Sequence, residues 1–154
     1  MIYKEICDEN EKKKITKDVL TDLPEWFGIP ESVTEYIEES SKMVYYACFD
    51  NEDPVGLLAI NTTSECTAEI YVMGIKKKYH RRGIGKQLFE KCMKWCKDNG
   101  YEFLQVKTLD SANPDKYYAE TRKYYRAMGF KPFETFKTLW DPSNPCLVMI
   151  MNVE

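Results

Sequence analysis

The interpretation of this sequence depends on one stretch, Ile75-Lys76-Lys77-Lys78-Tyr79-His80-Arg81-Arg82-Gly83-Ile84-Gly85-Lys86. It follows an alternating, strand-like run and leads into a run with helical spacing, a pattern typical of a strand, a basic turn and the start of a helix. The first turn of a helix has free backbone N–H groups, and glycine lets a ligand approach the backbone closely. The turn is therefore predicted to hold a phosphate group.

Two common phosphate-binding motifs do not fit this stretch. Leu88 stands where a dinucleotide-binding fingerprint has its third glycine, and no Gly-Lys-Ser/Thr follows at the distance that a P-loop requires. The predicted phosphate site is therefore of another kind.

Outward from the turn, the pattern predicts seven strands and four helices. The apolar stripe after Gly83 includes Leu88, Cys92 and Cys96, which makes core packing the expected role of the two cysteines. The expected strands cover residues 1–8, 43–49, 55–62, 67–75, 103–109, 130–140 and 147–153. The expected helices cover residues 12–23, a segment from Pro30, residues 83–99 and residues 117–128. Short polar connections between residues 43 and 75 indicate an antiparallel meander.

Length and composition narrow the class of protein. The chain has 154 residues, 44% of them hydrophobic, and no apolar run near the ~20 residues of a membrane span. We therefore expect a single domain, residues 1–154, with no membrane partner. The N-terminus lacks the features of an export signal, so a cytoplasmic location and reduced cysteines are expected. With one histidine and no Cys-x-x-Cys, no metal site is expected.

Charge is distributed unevenly along the chain. Residues 1–70 contain 6 lysines and 16 acidic residues, whereas residues 76–97 contain nine Lys or Arg and one acidic residue. This basic segment raises the alternative of nucleic-acid binding. Its aromatic residues do not interleave as a stacking platform would, and the pI is 5.4, so no nucleic-acid partner is expected.

The run His80-Arg81-Arg82-Gly83-Ile84-Gly85 resembles the pyrophosphate-binding motif of the GNAT superfamily of acetyl-CoA-dependent N-acetyltransferases, with His80 in place of Gln or Arg. The run Tyr124-Tyr125-Arg126-Ala127-Met128-Gly129-Phe130 resembles that family's signature after the coenzyme site, although Tyr118 stands where many members have asparagine. The resemblance implies an α/β (α+β) fold. Its sheet is mixed and mostly antiparallel, with about seven strands that splay apart after the fourth and about four flanking helices. It also implies acetyl-CoA as co-substrate.

The same resemblance implies the site residues. Glu69 is the candidate base and Tyr125 the candidate acid. The candidate coenzyme-binding residues are Met73, Gly74, Ile75, His80, Arg81, Arg82, Gly83, Ile84, Gly85 and Lys86. Acetyl transfer to an amine of ordinary pKa requires deprotonation, which costs about 4.6 kcal/mol at pH 7. Glu69 would remove this proton directly or through water, and Tyr125 would protonate the departing thiolate.

The sequence says less about the acceptor and the other partners than about the coenzyme. In this superfamily the early helices border the acceptor site, and here they carry Asp18, Asp22, Glu25, Glu31, Glu35, Glu38 and Glu39. We therefore expect a cationic amine acceptor. Trp26, Phe27 and Trp140 would line an apolar wall or be buried in the core. Many relatives dimerise, and residues 147–153 could pair across a homodimer interface. The alternative function is a non-catalytic acyl-CoA-binding sensor or interaction module.

Overall fold

The computed structural model describes residues 1–154 and contains seven strands and four helices in the predicted order. The strands are β1 (Ile2–Glu5), β2 (Val44–Asp50), β3 (Asp53–Thr62), β4 (Thr67–Ile75), β5 (Phe103–Leu109), β6 (Lys131–Asp141) and β7 (Asn144–Asn152). The helices are α1 (Glu9–Thr21), α2 (Pro30–Ser40), α3 (Ile84–Asp98) and α4 (Lys116–Met128). A 3₁₀ turn at Lys77–Tyr79, which the sequence pattern did not reveal, precedes α3.

All seven strands form one sheet in the order β1-β2-β3-β4-β5-β7-β6. Neighbouring strands are antiparallel throughout, except for the parallel pair β4 and β5. The connection between these two strands contains α3, as a parallel crossover requires. The predicted meander β2-β3-β4 and the mixed, mostly antiparallel sheet are confirmed.

Strands β4 and β5 part halfway along their length. Their pairing runs from Thr67 opposite Phe103 to Ile70 opposite Val106 and then stops, while β4 continues beside β3 to Ile75. At the same point β4 has an extra residue, because Ile60 faces Ile70 whereas Ala59 faces Val72. This bulge leaves Tyr71 without a partner, and bulges bend and twist the strand that contains them. The predicted splay after the fourth strand is confirmed, and its local cause is the bulge at Tyr71.

Apolar side chains fill both faces of the sheet. On one face, α1 buries Val19 and Leu20 against β3 and β4. On the other face, α3 buries its predicted stripe, in which Cys92 and Cys96 are fully enclosed. Burial of one large aliphatic side chain contributes about 1.5–3 kcal/mol, so these two layers account for the placement of α1 and α3 on opposite faces.

Strand β7 lies inside the sheet, between β5 and β6. Both of its edges are therefore paired, and the expectation that residues 147–153 pair across an interface is wrong. The outer strand is β6, on which Trp140 is 43% exposed, so this residue is not buried in the core. None of the helices has the length and apolar character needed to cross a membrane.

Helix α4 begins at a well-formed cap. The Asp115 carboxylate accepts hydrogen bonds from the backbone N–H groups of Tyr117 (2.8 Å) and Tyr118 (3.1 Å). We predict that Asp115→Ala lowers the free energy of unfolding by about 1 kcal/mol, because these N–H groups lose their acceptor. Chemical denaturation measures this change.

Asp98→Ala is the matched control for this prediction. Asp98 pairs with Lys94 on the exposed side of α3 (2.7 Å), a contact that contributes at most about 0.5 kcal/mol. An equal loss of stability in both variants would contradict the capping role of Asp115.

Candidate functional site

The turn between β4 and α3 presents a row of unpaired backbone N–H groups. Arg81 and Gly83 adopt left-handed conformations (φ 63° and 79°), and the first helical hydrogen bond runs from Gln87 N to Gly83 O (3.1 Å). None of the N–H groups of residues 81–86 has an acceptor within the chain. A row of this kind at a helix N-terminus attracts an anion through both its hydrogen bonds and the helix dipole.

The two glycines of the turn differ in their surroundings. A Cβ atom on Gly83 would have no heavy atom within 4 Å, so the backbone there is open to a ligand. A Cβ atom on Gly85 would overlap the Tyr124 hydroxyl and lie 3.2 Å from Ile75 Cδ1. Gly83 thus provides access, whereas Gly85 provides space for side chains that pack against the first turn of α3.

Helix α1 and its C-terminal end neutralise the first part of the basic segment. Lys76 Nζ lies 3.0 Å from Asp18 and 3.4 Å from Asp53, and Lys77 Nζ lies 3.0 Å from Glu25. Desolvation, the largest single influence, lowers the pKa of Lys76, but its hydrogen bonds and attraction to Asp18 and Asp53 together raise that pKa above its ordinary value. These lysines therefore fix the turn to α1.

The remaining cations of the turn have no acidic partner. This group consists of Lys78, Arg81, Arg82 and Lys86, all of them exposed. The Arg82 guanidinium lies 5.1 Å above the ring of Tyr79, whose hydroxyl donates to Asp50 (2.7 Å). Four unpaired cations and a row of free N–H groups make this turn a strongly anion-attracting surface.

His80 points toward β4 and contacts the chain itself. Its Nε2 lies 2.6 Å from the carbonyl oxygen of Ile75, and since a carbonyl can only accept, Nε2 is the protonated nitrogen. The ring also meets Trp26 edge to face, with centroids 5.9 Å apart. His80 thus joins the end of β4 to the segment between α1 and α2.

The free edge of β4 exposes the backbone of alternate residues. Lys76 N donates to Val55 O on β3 (2.9 Å), and antiparallel alternation then directs the amide of Gly74 toward β3 as well. The amides of Met73 and Ile75 consequently face the gap left by β5. A Cβ atom on Gly74 would lie 3.1 Å from Leu23 Cδ1. The lack of a side chain at Gly74 therefore lets α1 and Leu23 pack closely against β4.

Glu69 is buried next to the point where the strands part. Only 2% of the residue is exposed, and its Oε2 accepts from Gln105 Nε2 (2.9 Å) and lies 3.0 Å from Lys107 Nζ. The Lys107 ammonium balances the carboxylate charge, and Oε1 has no hydrogen bond within the chain. Sequence reasoning missed both partners, although their alternate positions on β5 place them on the same face of the sheet as Glu69.

Tyr125 projects from α4 against Phe130, with ring centroids 5.6 Å apart. Burial raises the pKa of Tyr125 above its ordinary value, and the neighbouring phenols of Tyr124, Tyr118 and Tyr36 raise it further. Burial also raises the pKa of Tyr36, with smaller contributions from acidic neighbours that include Glu69.

Aromatic rings from α2, β4, α4 and the segment between α1 and α2 pack against one another and form a wall. Tyr36 meets Phe27 and Tyr71 edge to face, at 5.5 Å and 5.3 Å between centroids. Trp26 meets Tyr117 on α4 at 5.1 Å, and its Nε1 donates to Thr121 Oγ1 (3.1 Å). Trp26 and Phe27 are partly buried and pack against the core as well, so their contact with an acceptor stays a prediction. Tyr118 donates its hydroxyl to the Trp26 carbonyl (2.6 Å), which fixes this wall to α4.

The acidic residues of the first half divide between two tasks. Asp18, Glu25 and Asp22 hold the basic turn, the last by accepting from Lys77 N (2.7 Å). On α2, Glu38 pairs with Lys13 (3.2 Å), whereas Glu35 has no ion pair and contributes, after burial, to the raised pKa values of Tyr36 and Tyr71. Glu35, which precedes Tyr36 on α2, is therefore a carboxylate without an ion pair beside the aromatic wall.

Comparisons with known proteins agree with this geometry. Residues 8–130 match the family model described as "Acetyltransferase (GNAT) family". A structure described as a GNAT-family acetyltransferase from Desulfovibrio desulfuricans superposes with a TM-score of 0.85 at 14% identity, covering 99% of both chains. A coenzyme A complex of aminoglycoside 6'-N-acetyltransferase gives a TM-score of 0.77 at 17% identity, covering 100% of this chain and 98% of that one.

Two further proteins are similar over smaller parts of the chain. A GNAT-family acetyltransferase from Elizabethkingia anophelis with bound acetyl-CoA gives a TM-score of 0.68 at 19% identity, covering 88% of this chain and 89% of that one. Streptothricin acetyltransferase A from Bacillus subtilis (strain 168) is 28% identical over 75 residues. That match covers 49% of this chain and 43% of the relative's length. Since the family model covers most of the chain, this protein belongs to the acetyltransferase (GNAT) family and is an acyltransferase.

Proposed function

We propose that residues 1–154 form a single N-acetyltransferase domain that transfers the acetyl group of acetyl-CoA to a primary amine by direct attack in a ternary complex. The observation that carries this proposal is the row of six unpaired N–H groups at residues 81–86, placed at the end of a strand whose edge is free. An anion site and an unpaired strand edge side by side suit a ligand with phosphates at one end and amide groups along its length.

The residues at the turn suit the pyrophosphate of the coenzyme. The N–H groups from Arg81 to Lys86 would donate to its oxygens, and Arg81, Arg82 and Lys86 would balance its charge. The open space over Gly83 admits the phosphates. His80 would support this site by holding the end of β4 through Ile75 O. Ile84 anchors the start of α3 in the core, where it is 2% exposed.

The free edge of β4 suits the pantetheine arm and the thioester. The amides of Met73 and Ile75 would bind the arm as a neighbouring strand would, and one of these groups would stabilise the oxyanion that forms at the thioester carbon. Gly74, between them, keeps α1 close beneath this edge. Such contacts fix the position of the acetyl group relative to Glu69.

Glu69 and Tyr125 would handle the two proton transfers. Glu69 would accept the proton of the incoming ammonium, directly or through water, at the oxygen that Gln105 and Lys107 leave free. Tyr125 would donate a proton to the departing coenzyme A thiolate, whose parent thiol has a pKa of about 8.5. Burial raises the pKa of Tyr125, which keeps the phenol protonated before the thiolate forms but also makes it a weaker acid.

The acceptor is proposed to be a cationic amine. Glu35 provides a free carboxylate, and the rings of Phe27, Tyr36 and Tyr71 provide faces that attract a cation. The relatives named for aminoglycosides and streptothricin place those compounds first in a screen of acceptors.

A negative charge introduced at Gly83 tests the coenzyme site. Gly83→Glu places a carboxylate over the row of N–H groups, and we predict that it weakens acetyl-CoA binding at least tenfold, or about 1.4 kcal/mol, by isothermal titration calorimetry.

Gly100→Glu is the matched control for this added charge. Gly100 has the same φ of 79° and equally open surroundings, so it incurs the same backbone strain and the same change in net charge. Equal affinity of wild type and Gly83→Glu for acetyl-CoA would contradict the proposed pyrophosphate site.

Two isosteric variants test the catalytic roles. Glu69→Gln keeps the shape of the side chain but removes the base, and we predict that kcat falls about 100-fold while the Kd for acetyl-CoA stays within about twofold. Tyr125→Phe removes the proton donor, and kcat is expected to fall at least tenfold. Thiol release from acetyl-CoA, measured with polyamine, aminoglycoside, streptothricin and neutral amine acceptors, gives these rates.

Tyr101→Phe serves as the control, because Tyr101 stacks on Trp95 beside the far end of α3. Full activity of the Glu69→Gln and Tyr125→Phe variants would contradict the assigned roles. If the wild type binds acetyl-CoA but acetylates none of the amines, the alternative of a non-catalytic acyl-CoA-binding module is favoured.

A further inference from the structure

Tyr124 carries a buried hydroxyl that has no hydrogen-bond partner in the chain. A buried hydroxyl without a partner lowers stability, because it has lost its bonds to water and gained nothing in return. Such a group calls for an explanation, and an absent ligand is one of the usual ones.

The hydroxyl lies at the first turn of α3. The space that a Cβ atom on Gly85 would occupy is filled by the Tyr124 oxygen, and Ile75 Cδ1 borders the same space. Gly85 is one of the residues whose backbone N–H groups are unpaired, and Ile75 ends the free edge of β4. Tyr124 therefore reaches the place where the anion-attracting turn meets the open strand edge.

The phenol oxygen of Tyr124 accepts no hydrogen bond, and its proton has no acceptor in the chain. The unpaired backbone groups around it are donors, and they cannot receive the phenol proton. Burial raises the pKa of Tyr124 to about 12, so its hydroxyl remains a donor at neutral pH. An oxygen acceptor for this proton therefore comes from outside the chain, and water, a phosphate or an amide carbonyl would serve.

We propose that Tyr124 is a coenzyme-binding residue whose hydroxyl donates to an oxygen of acetyl-CoA at the first turn of α3. This inference rests on the proposed function, since it takes acetyl-CoA to be the ligand of the turn. The two adjacent tyrosines of α4 then have different roles. Tyr125 packs against Phe130 and acts on the thiolate, whereas Tyr124 holds the coenzyme in place.

Calorimetric titration of wild type and Tyr124→Phe with acetyl-CoA tests this role, together with thermal unfolding of the ligand-free proteins. We expect the Kd of the variant to rise about tenfold, the loss typical of a hydrogen bond to a charged group. The ligand-free variant should unfold at the same temperature as the wild type or higher, because it lacks the unpartnered hydroxyl. An unchanged Kd, or a lower unfolding temperature, would overturn the proposal.

Tyr118→Phe provides the contrast on the same helix. Its hydroxyl has a partner, the Trp26 carbonyl at 2.6 Å, so its removal should lower the unfolding temperature. Repeating the titrations with ADP identifies the acceptor. If Tyr124→Phe weakens the affinity for both ADP and acetyl-CoA, the acceptor is an oxygen of the pyrophosphate. If it weakens the affinity for acetyl-CoA alone, the acceptor is an oxygen of the pantetheine arm. If the wild type fails to bind acetyl-CoA, the proposed function fails too, whereas equal binding by both proteins overturns only the role of Tyr124.

Discussion

The architecture of the site depends on one extra residue in β4. Tyr71 has no partner on β3, and the pairing of β4 with β5 ends at the residue before it. A bulge increases local twist, so the end of β4 turns away from β5 and keeps its outer backbone groups unpaired. The Glu69–Lys107 ion pair spans the last point at which the strands are still joined. The free edge of β4 follows from this divergence, and the unpartnered Tyr71 packs against Tyr36 in the aromatic wall.

The acidic and basic halves of the chain contribute to the same site in different ways. Asp18 and Glu25 hold Lys76 and Lys77, and so fix the turn against α1. The cations that follow in the turn have no acidic partner and belong to the same segment as the row of free N–H groups. The charge pattern thus combines a structural clamp with an anion-attracting surface, because the chain neutralises only the lysines nearest β4.

Much of this arrangement follows from local sequence patterns. The helical stripe that contains Cys92 and the glycines of the turn depend on neighbours close in the chain, so the boundaries of α3 and the exposed backbone were predictable. The Glu69–Lys107 pair, the partner of His80 and the interior position of β7 depend on which strands meet in space. Alternation along single strands does not contain that information. The bulge at Tyr71 likewise results from the register between two strands, and neither strand shows it alone.

Amide hydrogen exchange at the end of β4, measured by NMR with and without acetyl-CoA, tests the central claim most directly. The account predicts that the amides of Met73 and Ile75 exchange rapidly in the free protein and become protected on binding, because the coenzyme pairs with the open edge. The Gly74 amide, which faces β3, should be protected in both states. Met73 and Ile75 amides that are already protected in the free protein, or that exchange at the same rate after acetyl-CoA binds, would contradict it.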